Sequence, residues 1–251
     1  MFYKLSNQTQ QHKIEEEMDA KYKYGHIYSP RVVIDGLTEN TVSVITSDEP
    51  DSIEPSIWGI LPESFSDDWQ DFQNHMNTLN ISHKTIDSDV WYAAPFLLRR
   101  CLILVTGYFT NVLVDDQLLP FYISSTTGKP FSIGGIYNKL KDGFLTTSVI
   151  TVAANKQHQQ IHNISNQMPL VIPKNLRNSW LDNTLTVPEI KHFFKTPLKN
   201  ELRAIPVSKQ IFDLGLFDTS INIDLVDDAL PMPFTLQTLL ADYNIKSMET
   251  D

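Results

Sequence analysis

Cysteine is almost absent from this chain of 251 residues, because Cys101 is the only one. A single thiol excludes an internal disulfide and any zinc site built from several cysteines. Cys101 opens an apolar run, and free cysteine is among the most buried residue types. We therefore expect a buried strand residue at this position and not a catalytic thiol.

Long apolar runs are also lacking. The amino-terminal sequence has no apolar core of roughly 7–15 residues, which a secretory signal would need. No run in the chain approaches the ~20 apolar residues of a membrane-spanning helix. The sequence therefore predicts a cytoplasmic protein with no membrane partner.

Positive charge is in short supply: twenty Lys and Arg stand against thirty Asp and Glu, for a net charge of −10. Non-specific binding to nucleic acid or to anionic membranes depends on a positive field. The balance argues against such binding by the surface as a whole, but it leaves a local basic groove open. Arg99 and Arg100 are the one adjacent pair of basic residues.

Motifs that bind phosphates or metals are missing. The nine glycines form neither a Walker loop nor a dinucleotide-binding loop, and no His-Glu-x-x-His occurs. His158 and His162 are four residues apart and could share one face of a helix, which would supply half of a metal site. No nearby cysteine or carboxylate completes it, so we expect neither a metal nor a cofactor.

Strands cluster in the middle of the chain and helices lie at its ends and between them, which favours an α+β fold. The length fits one large domain or two small ones, and without a Gly- or Ser-rich linker we expect a single domain over residues 1–251. Helices are predicted at 6–24, capped by Ser6 or Thr9, and at 66–80, 173–181 and 186–194. Strands are predicted at 41–46, 56–62, 101–109, 120–124, 131–137, 145–155, 168–172 and 202–208, the central ones as an antiparallel meander. The segment after Phe217 has mixed polarity and is expected to wrap the body or to be partly mobile.

Several segments, taken in order, resemble the SOS-response-associated peptidase family of abasic-site processing proteins. They are MFYKLS, YSPRVVIDG, SIWGILP, LNISHKTI, RRCLILVTGYF, GKPFSIGGIYN, TTSVITVAAN, IHNISNQMPLVIP and WLDNTL. The resemblance covers residues 1 to about 208 and leaves 209–251 as a carboxy-terminal extension. It implies a central antiparallel or mixed sheet that forms a barrel-like core with flanking helices. It also implies binding of single-stranded DNA and a covalent link to abasic sites, with no cofactor.

The chemistry implied by the resemblance depends on a cysteine at position 2. Its free amine attacks the aldehyde of an abasic site, and its thiol closes the adduct, while an Asn, a Glu and a His assist. In this chain Phe2 stands at the cysteine position and Thr110 at the glutamate position, whereas Asn80 and His162 are retained. Phe2 has no thiol, and Thr110 has no useful pKa near neutrality.

A bulky second residue is also expected to block removal of Met1, which would leave the free amine one residue out of place. We therefore predict a catalytically degenerate member of the family, a pseudoenzyme. We further predict that Phe2 fills part of the space that the cysteine and its substrate would share.

Further family positions are altered as well, among them arginines and a segment that contact DNA. Ser82 and Gln167 stand where the family has arginines, and Lys84 stands where it has a glutamate. Ser64 and Asn111 replace tryptophans, and a Pro-Ser-Phe-Arg segment is replaced at 90–93. Loss of arginines removes phosphate contacts. Arg99, Arg100 and Trp91 remain as candidate contacts to nucleic acid, with Trp91 able to stack on a base or simply to pack.

Two other interpretations stay open. Asn80 and His162 could be purely structural, or they could assist a rearranged enzyme in which the Met1 amine forms a reversible Schiff base. Alternatively, the chain could be a protein-interaction module that uses its acidic surface to bind a basic partner.

Overall fold

The computed structural model describes residues 2–195 and 202–207 of the chain. The strands are β1 (Lys4–Asn7), β2 (Lys21–Tyr22), β3 (Arg31–Asp35), β4 (Thr41–Thr46), β5 (Ser52–Trp58), β6 (Asn80–Ser82), β7 (Arg100–Val105), β8 (Gly107–Val114), β9 (Gln117–Ser125), β10 (Phe131–Lys139), β11 (Leu145–Ala153), β12 (Gln167–Pro169), β13 (Val171–Ile172) and β14 (Leu202–Pro206). The α-helices are α1 (Gln11–Met18), α2 (Trp69–His75), α3 (Ala93–Leu98), α4 (Lys156–Ile161), α5 (Arg177–Leu181) and α6 (Val187–His192). Short 3₁₀ helices occupy Gly25–Ile27, Lys174–Leu176 and Phe193–Lys195. None of these helices is long and apolar enough to cross a membrane.

The strands form two sheets, and the predicted α+β class is confirmed. The smaller sheet has the order β14-β9-β8-β1-β3, and the larger runs β12-β11-β10-β7-β4-β5-β2. A parallel pairing of β5 with β11 joins two distant strands of the larger sheet. The strands β11, β10, β7, β4 and β5 therefore close into a ring, in agreement with the barrel-like core that the family resemblance implies.

The prediction of a central antiparallel meander is wrong in one respect. The hairpins β8–β9 and β10–β11 are antiparallel, but β9 pairs next with β14 and β10 with β7, so the two hairpins belong to different sheets. The predicted strand 101–109 divides at Thr106, whose N–H donates to the carbonyl of Ser6. Gly107 follows at a close approach, because a Cβ there would lie 2.4 Å from the Ile123 carbonyl oxygen.

Both faces of the larger sheet are buried. Along β7, the side chains of Cys101, Ile103 and Val105 point into a core shared with the smaller sheet, whereas Leu102 and Leu104 pack beneath the helices. This alternation is the period-two pattern of a strand. Cys101 is fully buried, as predicted.

The first predicted helix is shorter than expected. The segment Lys4–Asn7 forms β1 between β3 and β8, and the helix begins only at Gln11 without a side-chain cap. Neither Ser6 nor Thr9 is its cap, because the pairing of β1 in the sheet overrides local helical patterning. The last predicted helix agrees better: Thr186 and Glu189 form a capping box at the start of α6.

Candidate functional site

Four side chains predicted from the sequence converge on one place. Phe2 lies just before β1, Asn80 begins β6, Thr110 lies within β8, and His162 follows α4. The fold brings them together because β1 pairs directly with β8 and α4 packs against β8. Residues as much as 160 positions apart in the chain thus form one cluster.

Phe2 is the centre of this cluster. Its ring is 1% exposed and lies edge-on to the ring of Tyr108, with ring centroids 5.6 Å apart. The imidazole of His162 lies closer still, with its centroid 5.1 Å from that of Phe2. The side-chain amide of Asn80 donates to the Phe2 carbonyl at 2.7 Å. The ring of Phe2 therefore fills the space directly against His162.

His162 is held between two hydroxyl groups. Thr110 Oγ1 lies 2.6 Å from its Nδ1, and Ser165 Oγ lies 2.7 Å from its Nε2. Burial lowers the pKa of His162 below its ordinary value of 6.5. The imidazole is therefore neutral near pH 7 and can act as a proton acceptor.

His158 lies in the same cluster, and its side chain is buried. Its Nδ1 lies 3.4 Å from the Tyr108 hydroxyl, and its Nε2 has no hydrogen-bond partner among the described residues. Burial, with a smaller contribution from His162, lowers its pKa to about 3. Its ring is 5.6 Å from that of His162, yet no group of three or more His, Cys, Asp or Glu suited to a metal occurs in residues 2–195 and 202–207.

Two positions at which the resemblance expects arginine contact each other instead. Gln167 Nε2 donates to Ser82 Oγ at 3.4 Å, and Thr151 donates to Gln167 Oε1 at 3.2 Å. These are neutral contacts beside Asn80, whose Oδ1 has no partner in the described part of the chain. This side of the cluster presents amides and hydroxyls where cations were expected.

Arg100 is a correction to the predicted nucleic-acid contacts. It is completely buried, and its guanidinium donates to the backbone carbonyls of Phe96, Leu97, Trp180 and Asp182. Five donors in a fixed fork suit this role of tying α3 to the end of α5. A side chain committed in this way cannot reach a phosphate, so Arg100 is structural.

Arg99 points the other way, into an open groove of about 580 Å³. The groove is lined by Glu63, Ser64, Arg99, Lys139, Leu140 and Lys141. Arg99 forms an ion pair with Glu63, while Lys139 and Lys141 add two further cations. The groove is thus a local basic surface on a chain of net charge −10.

Trp91 ends a short row of aromatic rings that begins beside this groove. Phe65, which follows Ser64, lies 5.1 Å from Phe72, and Phe72 lies 6.4 Å from Trp91, all between ring centroids. Trp91 is 46% exposed and its neighbour Val90 is 92% exposed. We call Phe65, Phe72 and Trp91 the aromatic row.

The sequence did not point to Ser165 or Tyr108, nor to His158 as a neutral imidazole beside Phe2. Ser165 carries no motif, since it is merely one serine three residues after a histidine. Tyr108 belongs to the Gly-Tyr-Phe corner, which suggested a scaffold residue only. The pair His158 and His162 was noticed for its spacing, but the spacing suggested metal ligands and not two neutral imidazoles beside Phe2.

The chain is similar in sequence to abasic site processing proteins. The chain is 23% identical over 149 residues to abasic site processing protein YMR114C of Saccharomyces cerevisiae, a match covering 58% of this chain and 39% of that protein. It is 19% identical over 180 residues to abasic site processing protein YoqW of Bacillus subtilis, covering 69% of this chain and 77% of the relative.

Solved structures agree on the fold. A protein from Bacteroides thetaiotaomicron superposes with a TM-score of 0.76 at 22% identity, covering 85% of this chain and 95% of the other. A protein from Bordetella bronchiseptica gives a TM-score of 0.69 at 15% identity, covering 82% and 99%. The model of the SOS response associated peptidase family matches residues 1–214. With that match over most of its length, the chain belongs to the SOS response associated peptidase family.

Proposed function

We propose that this chain is a catalytically degenerate member of its family, which does not form a covalent link to abasic sites but retains weak binding to single-stranded DNA. The observation that carries the proposal is the buried ring of Phe2 against His162. A benzyl side chain offers no thiol and no proton to transfer. It also excludes an aldehyde from the surface of the imidazole that it covers.

The loss of the carboxylate supports the same conclusion. Thr110 contacts His162 Nδ1 with a hydroxyl group. A hydroxyl can orient an imidazole, but it neither accepts a proton near pH 7 nor stabilises an imidazolium as a carboxylate does. The pair that would move protons at an abasic-site aldehyde is therefore incomplete.

Asn80 has a structural use that accounts for its retention. Its amide donates to the Phe2 carbonyl and so holds the amino-terminal segment in the cluster. The same contact serves a chain with or without a nucleophile at position 2. Retention of Asn80 therefore supports a preserved scaffold around a lost reaction.

DNA binding is proposed for the basic groove and the aromatic row together. Arg99, Lys139 and Lys141 supply charge for phosphates, while Trp91 supplies an exposed ring for a base. The ion pair of Arg99 with Glu63 and the net charge of −10 both oppose binding. We therefore expect weak affinity that falls steeply with salt.

The covalent part of the proposal is tested with an oligonucleotide that contains one abasic site. The chain is incubated with it, with or without borohydride, and resolved on a denaturing gel. No shifted band is expected in either lane. A band seen only with borohydride would support instead an enzyme that forms a Schiff base through an amine, the rearranged alternative.

The binding part is tested by fluorescence anisotropy with single-stranded DNA at low salt. Replacement of Trp91 by alanine should weaken binding by ~1–3 kcal/mol, the usual value of one base stacked on an aromatic ring. Tyr24, which is 43% exposed in the turn before the 3₁₀ helix Gly25–Ile27, gives the matched control Tyr24→Ala. Equal affinities for the two variants, or no binding by the native chain at low salt, would refute this part and favour a protein-interaction module.

A further inference from the structure

The hydroxyl of Ser165 and the imidazole of His162 form a pair that the degenerate family site does not explain. Ser165 lies in the loop between α4 and β12 and is partly exposed, whereas His162 is buried. The oxygen of Ser165 is 2.7 Å from Nε2, and the oxygen of Thr110 is 2.6 Å from Nδ1 on the far side of the ring. A nucleophile, a base and a group that orients the base therefore lie in sequence, the arrangement on which serine hydrolases depend.

One tautomer of His162 lets Ser165 act as the nucleophile. A neutral imidazole carries a single proton and accepts at its other nitrogen. With the proton on Nδ1, the ring donates to Thr110 Oγ1 at 2.6 Å, and Nε2 accepts the hydroxyl proton of Ser165 at 2.7 Å.

The loop that carries Ser165 is held firmly on both sides. The side-chain amide of Asn163 exchanges two hydrogen bonds of 2.8 Å with the backbone of Leu113. Gln159 donates to Asn166 Oδ1 at 2.9 Å, and the N–H of Ala154 donates to the Asn166 carbonyl. Ser165 therefore keeps its place beside His162 instead of leaving it for solvent, as a preorganised nucleophile requires.

We propose that Ser165 is a nucleophile activated by His162 and oriented through Thr110, able to accept an acyl group from a small activated ester. In the first step the Ser165 Oγ–carbon bond forms while the hydroxyl proton moves to His162 Nε2. The ester carbon–oxygen bond then breaks, and Nε2 returns the proton to the leaving alcohol. Water repeats both steps on the acyl-serine and releases the acid, so atoms and protons balance.

This activity is separate from the abasic-site chemistry of the family. It uses Nε2 of His162, the nitrogen that lies beside the partly exposed Ser165, while Phe2 packs against the ring. Thr110 stabilises an imidazolium less than a carboxylate would, so turnover is expected to be slow compared with hydrolases that have one. The outer side of the ring is thus usable although the inner side is filled.

The test is covalent labelling of the native chain by a fluorophosphonate, with the modified serines mapped by mass spectrometry. Ser88, an exposed serine whose hydroxyl donates to a backbone carbonyl, is the internal control. Ser165 should be labelled at least about 100-fold faster than Ser88, the lower range for general-base assistance. Labelling of Ser165 no faster than Ser88 would overturn the proposal without any variant being made.

Two substitutions separate activation from mere exposure. His162→Gln should reduce the labelling rate of Ser165 to that of Ser88. Thr110→Val should lower the labelling rate of Ser165 roughly tenfold, which corresponds to ~1.4 kcal/mol in the activation free energy. Hydrolysis of p-nitrophenyl acetate should disappear in Ser165→Ala and persist in Ser88→Ala. An unchanged Ser165 rate in His162→Gln, or hydrolysis that survives in Ser165→Ala, would contradict the assignment. These readouts need no DNA, so they are independent of the proposal for abasic sites.

Discussion

Replacing Phe2 by alanine removes a ring that is 1% exposed and packs against Tyr108, His158 and His162. Truncation of a buried phenylalanine to alanine costs about 3–5 kcal/mol, because apolar contacts are lost and a cavity remains. Since about 1.4 kcal/mol is a factor of ten, the unfolded fraction should rise by roughly 10² to 4 × 10³-fold. Such a loss would show that Phe2 is part of the core.

The assay is urea unfolding followed by tryptophan fluorescence, with the midpoint and slope compared between variants. Phe144 is 62% exposed, so Phe144→Ala is the matched control and should change stability by no more than about 0.5 kcal/mol. The slope should stay constant if both variants unfold from the same compact state. A Phe2→Ala midpoint equal to that of Phe144→Ala would refute the view that Phe2 fills the site.

Three further predictions follow from single residues. Arg100→Ala should cost at least ~3 kcal/mol, because four backbone carbonyls lose their donor and two of these hydrogen bonds are fully buried. Arg99→Ala should leave stability within about 0.5 kcal/mol and weaken DNA binding. The reverse pattern in unfolding and anisotropy would contradict both assignments. The folded state keeps His158 neutral with a pKa of about 3, against about 6.5 when unfolded. The contribution of His158 to the free energy of unfolding should therefore be complete above about pH 6.5 and should fall toward pH 3 by up to ~1.4 kcal/mol per pH unit. Denaturation measured as a function of pH should show a flatter slope for His158→Gln. Burial raises the pKa of Cys101 to about 12, so a thiol reagent should label it only after denaturant is added; rapid labelling of the native chain would show that it is exposed.

Much of the fold could be predicted because it depends on local patterning. The run beginning at Cys101 is buried as predicted, with side chains that alternate between two cores. The failures come from tertiary pairing. Helix α1 is short because Lys4–Asn7 is taken into a sheet, and the strand at 101–109 divides where Thr106 meets Ser6.

The candidate site shows the same division between local pattern and distant contact. Phe2, Asn80, Thr110 and His162 could be named from the sequence because each stands within a segment that resembles the family. Arg100 could not be assigned correctly, since two of its four carbonyl partners come from residues 80 or more positions later in the chain. Ser165 could not be named for a related reason, because its contact with His162 depends on the direction in which the imidazole ring points.

We propose that the reaction at abasic sites has been lost from this member of the family. The most direct measurement is the intact mass of the native chain after long incubation with an excess of abasic single-stranded oligonucleotide, beside a family member with cysteine at position 2. We expect the unmodified mass of this chain and an added oligonucleotide mass on the other protein. An adduct on this chain that survives heating, and that disappears when Asn80 or His162 is replaced, would contradict the account.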